Sequence, residues 1–243
     1  MLQIRPSEER GRTRAGWLDA RHTFSFNRYF DPNHMQFRTM RVLNEDVVAP
    51  GQGFGAHPHN DMEILTWILD GALAHKDSTG GGGEIRHGEL QYMSAGTGVF
   101  HSEFNASDRE PVHLFQIWIM PQANGMKPTY EQKAFAAEGR ANRLQRIASA
   151  TGAEDAIAIR QDAEVYAADL AAGQTIRYAL PAGTGAAGAG AGAGRGAWLQ
   201  LGKGKVTVNG QAIEAGDGVA VSDEAEVVIE AQADAHFLLF DLK

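Results

Sequence analysis

Cysteine is absent from the 243 residues, so disulfides, thiolate metal sites and cysteine nucleophiles are all excluded. Any metal this chain binds is held by nitrogen and oxygen. Positive charge is also short: 22 Lys and Arg against 30 Asp and Glu leave a net charge of −8. A chain of this sign has no general attraction to nucleic acid or to an anionic membrane. The early arginines Arg5, Arg10, Arg12 and Arg14 alternate with Glu8 and Glu9 and read as a solvated segment. No apolar stretch approaches the ~18 residues of a membrane span, and the opening MLQIRPSEER lacks the apolar centre of a secretion signal. A cytoplasmic location is the expectation. Helical periodicity is sparse too, with EQKAFAAEGRANRL (131–144) the best candidate and Thr129 placed to cap it.

What is present is β-type sequence. Hydrophobic residues make up 43% of the chain, enough for a sizeable core. Short apolar runs recur between turn signals: EILTWIL (63–69), GVFHSEF (98–104), VHLFQIWIM (112–120), GKVTV (204–208) and FLLFDL (237–242). STGGGGE (78–84) and VNGQ (208–211) break them. This rhythm predicts an all-β sandwich or barrel. Two β-rich halves, 1–130 and 146–243, flank a helical connector at 131–145, and a weak internal echo between them suggests duplication. GTGAAGAGAGAGRG (183–196) lacks the Lys-Ser/Thr ending of a phosphate loop and reads as a flexible connection.

The chemistry concentrates in two short words. In a strand, residues i and i+2 share a face, so His57 and His59 project together while Pro58 faces away. His101 and Glu103 in H-S-E repeat the relationship. Neighbouring strands would unite three imidazoles and one carboxylate, a set suited to a divalent first-row metal. Asp61 and Glu63 compete with Glu103 for the acid position. A regular strand would keep both on the histidine face, but Asn60-Asp61 is a poor strand pair, and a bulge there changes the register. Spacing favours Glu103 by a modest margin. The remaining histidines carry less signal. His22 reads equally as a neighbour of the site or a structural residue. His75 reads as a turn residue and His236 as a structural one, while His34, His87 and His113 have no informative spacing. Phe24, Phe26, Met93 and Trp118 read as core, with an aromatic-binding cavity the alternative.

H-x-H-x3-E (57–63) and G-x-G-x2-H-x3-N (96–105) resemble the two motifs of the cupin superfamily. Gly96 stands where the general pattern has proline, and the interval from Glu63 to Gly71 is one residue longer than in that pattern. With WLDARHTFSF (17–26), RYFDP (28–32), HPHNDMEI (57–64), HKDSTG (75–80), QYMSAGTGVFHSE (91–103) and QIWIMP (116–121), the sequence resembles the pirin branch. The second half matches more loosely, through AWLQL, VTVNG, AGDG and LLFDL.

That resemblance implies two cupin (jelly-roll) barrels. The first would hold one metal on His57, His59, His101 and Glu103, with Glu63 beside the site. The second would lack metal. The ion would be Fe(II) first, with Ni, Cu, Co, Mn and Zn also compatible. Pirins are linked to opening of the flavonol quercetin by dioxygen, releasing carbon monoxide and a depside. The implied partners are therefore a small aromatic or enolisable substrate and O2, with Glu103 as the catalytic base. The family also implies an alternative, a regulatory protein that acts through a protein partner and uses its metal for structure or redox sensing.

Overall fold

The computed structural model describes residues 1–180 and 194–243; most of the Gly-Ala run lies outside these. The described residues are dominated by strands, as the runs between turn signals predict, and they form two nine-stranded sheets. No helix among them is long and apolar enough to cross a membrane.

One compact unit comprises Arg10–Phe135 together with Ile159–Gln161. Its sheet runs in the order Gly11–Arg14, Leu18–His22, Met40–Val48, Val112–Ile119, Gly53–Asp70, Glu89–Asn105, Ala72–Asp77, Gly82–Arg86. The Gly53–Asp70 strand is central, and its second half reads as an apolar run because both faces are covered there: Ile64, Leu65, Trp67 and Ile68 are fully buried. Each such side chain contributes about 1.5–3 kcal/mol by leaving water.

The other unit comprises Met1–Glu9, Ala136–Ala158 and Asp162–Lys243. Its sheet is built around the long Gly196–Val208 and Glu226–Leu242 strands. Leu199, Leu201, Val206, Val219, Phe237 and Leu239 form its core. The Leu2–Arg5 strand pairs with Gly218–Val221 at the edge of this sheet, so the first residues of the chain group with its last hundred rather than with 10–130.

The helix expected across 131–144 does not form. Thr129–Ala134 is instead a strand antiparallel to Glu89–Asn105, and the helix is a single turn, Ala137–Arg140, with no side-chain cap. Pairing with a long central strand outweighs the helix propensity of this Ala- and Glu-rich segment.

Candidate metal centre

Two neighbouring antiparallel strands build the site. Gly53–Asp70 and Glu89–Asn105 pair so that His57 lies opposite His101 and His59 opposite Val99. Pro58 between the histidines is exposed, as strand alternation requires. The register slips between His59 and Asp61, and Asp61 takes a left-handed φ of 61°. The bulge expected at Asn60-Asp61 is therefore present, and it turns Asp61 outward to accept the Gly125 amide at 2.7 Å. A further sharp bend follows in the partner strand at Gly96. Its φ is +47°, and any Cβ there would sit 1.9 Å from the Met126 carbonyl oxygen. Glycine in place of proline at this position is a steric requirement.

The three imidazoles converge. Their ring centroids are 4.8 Å (His57–His59), 4.4 Å (His57–His101) and 4.7 Å (His59–His101) apart, and their ligand nitrogens all lie within 4.8 Å of one another. Burial, then the neighbouring His57, pushes His59 down to about 4; burial and the three surrounding histidines push His101 down to about 2. Both rings are neutral, as ligands must be. His57 Nδ1–H donates to the Gly55 carbonyl at 2.8 Å, which leaves the Nε2 lone pair free to face His101 Nε2 at 3.0 Å. Two nitrogens each ~2.1 Å from one ion and at right angles to each other would lie about 3 Å apart. The donor set and its spacing fit a divalent first-row metal.

Glu103 is also buried. Its donor atoms cluster with those of His101 and His75, and the two groups of potential ligands overlap at His101 instead of merging into one set. Gln116 Nε2 donates to both carboxylate oxygens at 3.2 and 2.9 Å, and Thr66 Oγ1–H holds Gln116 by its Oε1 at 2.8 Å. These hydrogen bonds oppose the effect of burial but do not cancel it, and the carboxyl is pushed up to about 7. Asp46 is likewise pushed up to about 7, by burial and by the charge of Glu103. Glu63 belongs to neither cluster. It accepts from Tyr92 Oη–H at 2.7 Å and from the Arg160 amide at 2.6 Å, tying Ile159–Gln161 to this unit.

Sequence spacing gave no hint of Asp46, Gln116 or Thr66, and it read His75 only as a turn residue. The other histidines are engaged elsewhere: His22 with Asn44 and Thr13, His34 with Asp31, His87 with the Leu69 carbonyl, His113 with Glu45 and His236 with Asp169. Phe24 and Met93 are core residues. Phe26 and Trp118 instead line a cavity of about 420 Å³ that includes Tyr29, Phe30, Met35 and Arg41. Trp118 sets its ring edge-on to His59 at 4.8 Å, and Phe26 packs edge-on to Trp118 at 5.3 Å, so this aromatic hollow adjoins the histidines.

Comparison with known proteins agrees with this geometry. Residues 3–119 match the Pirin family model, and 146–242 match the model described as "Quercetinase C-terminal cupin domain". The chain is 45% identical to "Quercetin 2,3-dioxygenase" of Escherichia coli K12, covering 100% of this chain and 99% of that one. It is 40% identical to a "Pirin-like protein" of Caulobacter vibrioides, with 99% of each chain covered. The crystal structure of the E. coli bacterial pirin YhhW in complex with nickel(II) superposes with a TM-score of 0.90 at 44% identity, covering 100% of this chain and 99% of that one. Two consecutive cupin domains, the motif histidines gathered at one point and full-length similarity at this level show that the chain belongs to the pirin family.

Proposed function

We propose that this chain is a cytoplasmic, metal-dependent dioxygenase that opens a flavonol such as quercetin, its ion held by His57, His59, His101 and Glu103. The observation that carries this reading is the three-imidazole cluster beside an aromatic-lined hollow, with a buried carboxylate two residues beyond His101 on the same strand. The E. coli relative's name and the nickel(II) complex of its pirin support it. Fe(II) and Ni(II) head the compatible ions. A bound ion would supply Lewis acidity toward the flavonol hydroxyl and carbonyl oxygens and a place for dioxygen.

The chain's own groups would do the rest. Glu103, a buried carboxylate oriented by Gln116, would take the 3-hydroxyl proton as a positioned base. Gln116, fixed by Thr66, holds that carboxylate in place. Trp118 and Phe26 offer faces and edges for a flat aromatic substrate and keep water from it.

The test is oxygen uptake and carbon monoxide release with quercetin after loading separately with Fe(II), Ni(II), Co(II), Mn(II) and Cu(II). Glu103→Ala is expected to abolish turnover by at least about 10²-fold, the scale of a positioned base. Absence of oxygen consumption with every metal would overturn the assignment.

A further inference from the structure

The HKDSTG word (75–80) has no part in the ligand set, yet it lies against the metal centre. Ala72–Asp77 pairs with Glu89–Asn105 so that His75 is opposite Glu103 and Asp77 opposite His101. His101 therefore has a neighbour on each ring nitrogen. Its Nε2 faces His57 Nε2, and its Nδ1 lies 3.5 Å from His75 Nδ1, a long but directed contact. The other nitrogen of His75, Nε2, is 3.2 Å from Asp77 Oδ2, and both side chains are essentially sealed from water. Tyr130 stacks on His75 with centroids 4.9 Å apart and holds the ring plane.

Asp77 is itself clamped. Its Oδ1 accepts the Thr79 amide at 2.8 Å, the Thr79 hydroxyl at 2.7 Å and the Gly81 amide at 2.9 Å. Gly81 must lack a side chain, because a Cβ would come within 2.3 Å of Asp77 Oδ2. Ser78 fastens the turn to the residue before His101: its amide donates to the Phe100 carbonyl at 2.8 Å, and the Phe100 amide donates to its hydroxyl oxygen at 3.1 Å.

A carboxylate only accepts, so the His75 proton lies on Nε2, toward Asp77. The Nδ1 lone pair of His75 is then left to accept the Nδ1–H of His101. That tautomer of His101 is the one whose Nε2 lone pair is free to bind an ion. We propose that His75 and Asp77 are positioning residues that fix the tautomer and ring orientation of His101, so that its Nε2 is presented as a ligand beside His57 and His59. The inference rests on the metal-centre reading above. His75 is not itself placed among those ligands, since it contacts the nitrogen of His101 that faces away from His57. Outer partners of this kind typically change metal affinity by about 10–100-fold.

The test is Ni(II) affinity of the full chain by chelator competition, with thermal melting of the metal-free protein as a check on folding. Asp77→Asn keeps an oxygen for Thr79 and Gly81 but replaces the acceptor facing His75. It and His75→Ala are each expected to weaken Ni(II) by about 10–100-fold while still reaching one ion per chain at saturation. His75→Asn, which restores an oxygen acceptor near Nδ1, is expected to recover most of the loss. Affinity within about twofold of wild type in both Asp77→Asn and His75→Ala would overturn the proposal. So would a loss in His75→Ala as complete as in His101→Ala, which would make His75 a ligand. If His101→Ala itself binds Ni(II) like wild type, the metal-centre reading fails, an outcome distinct from failure of the positioning role alone.

Discussion

Glu103 and Asp241 are buried carboxylates on long strands, one in each unit, and they are compensated in opposite ways. Asp241 carries its own cation: Arg195 Nε–H donates to Oδ1 and Tyr178 Oη–H to Oδ2, both at 2.6 Å. The donor on Glu103 is neutral, the Gln116 amide, itself held by Thr66. The unit without clustered histidines satisfies its buried acid with a guanidinium, whereas the unit with them leaves a carboxylate whose charge calls for an external positive partner. A second device is common to both units. Arg10 pairs with Glu45 at 2.7 Å, and Glu45 holds His113. Arg140 pairs with Asp169 at 2.6 Å, and Asp169 holds His236. In each case burial raises the carboxyl, but the histidine and arginine outweigh it and keep it below its usual range. Histidine next to a carboxylate is here a bracing motif common to the units, whereas the three-ring cluster belongs to one of them.

Metal content tests that difference most severely. His57→Ala and His101→Ala are expected to fall from one ion per chain to none by elemental analysis, with melting of the metal-free protein little changed. His236→Ala should retain the full ion. Metal loss in His236→Ala would erase the distinction between the two histidine environments.

The bracing arginines come next. Arg10 has a fully buried side chain against a largely buried Glu45, so Arg10→Ala leaves that acid with only the His113 imidazole and should cost about 3–5 kcal/mol in urea unfolding. Asp169 is 40% exposed and can recruit water, so Arg140→Ala should cost less, about 1–3 kcal/mol. Equal costs would show that solvent access to the carboxylate does not matter.

The smallest effect is the pH response of Glu103. A carboxyl raised in the folded state contributes stability below its unfolded value, near 4.5, and loses it as pH rises through about 7. Metal-free Glu103→Gln should therefore lose less melting temperature between pH 5 and pH 8 than wild type does. Each kcal/mol recovered corresponds to roughly 2–4 °C for a chain of this size. Parallel pH profiles would mean that Glu103 already has a cation.

Much of this was legible from residues alone. The β class followed from short apolar runs between turns, the His57/His59 pairing from strand alternation, and the Asn60-Asp61 bulge from a residue pair poorly suited to a strand. Residues brought in by register were not. His75 reaches His101 only because Ala72–Asp77 pairs with the far end of Glu89–Asn105, and Gln116 reaches Glu103 from the Val112–Ile119 strand. The 131–144 segment misled for the same reason. Its local composition is helical, and its fate was decided by a partner strand distant in sequence.

The pairing of Leu2–Arg5 with Gly218–Val221 bears on how the chain is made and how it can be cut. Residues 2–5 are synthesised before their strand partner at 218–221, so they wait while everything between them is translated. The second unit is thus completed by a piece of chain that precedes the first. A fragment beginning at residue 146 would contain the second cupin's main body yet leave the Gly218–Val221 edge open, an invitation to pair with another copy. Restoring that edge with a strand corresponding to residues 2–5 is the natural way to make the fragment behave as a monomer.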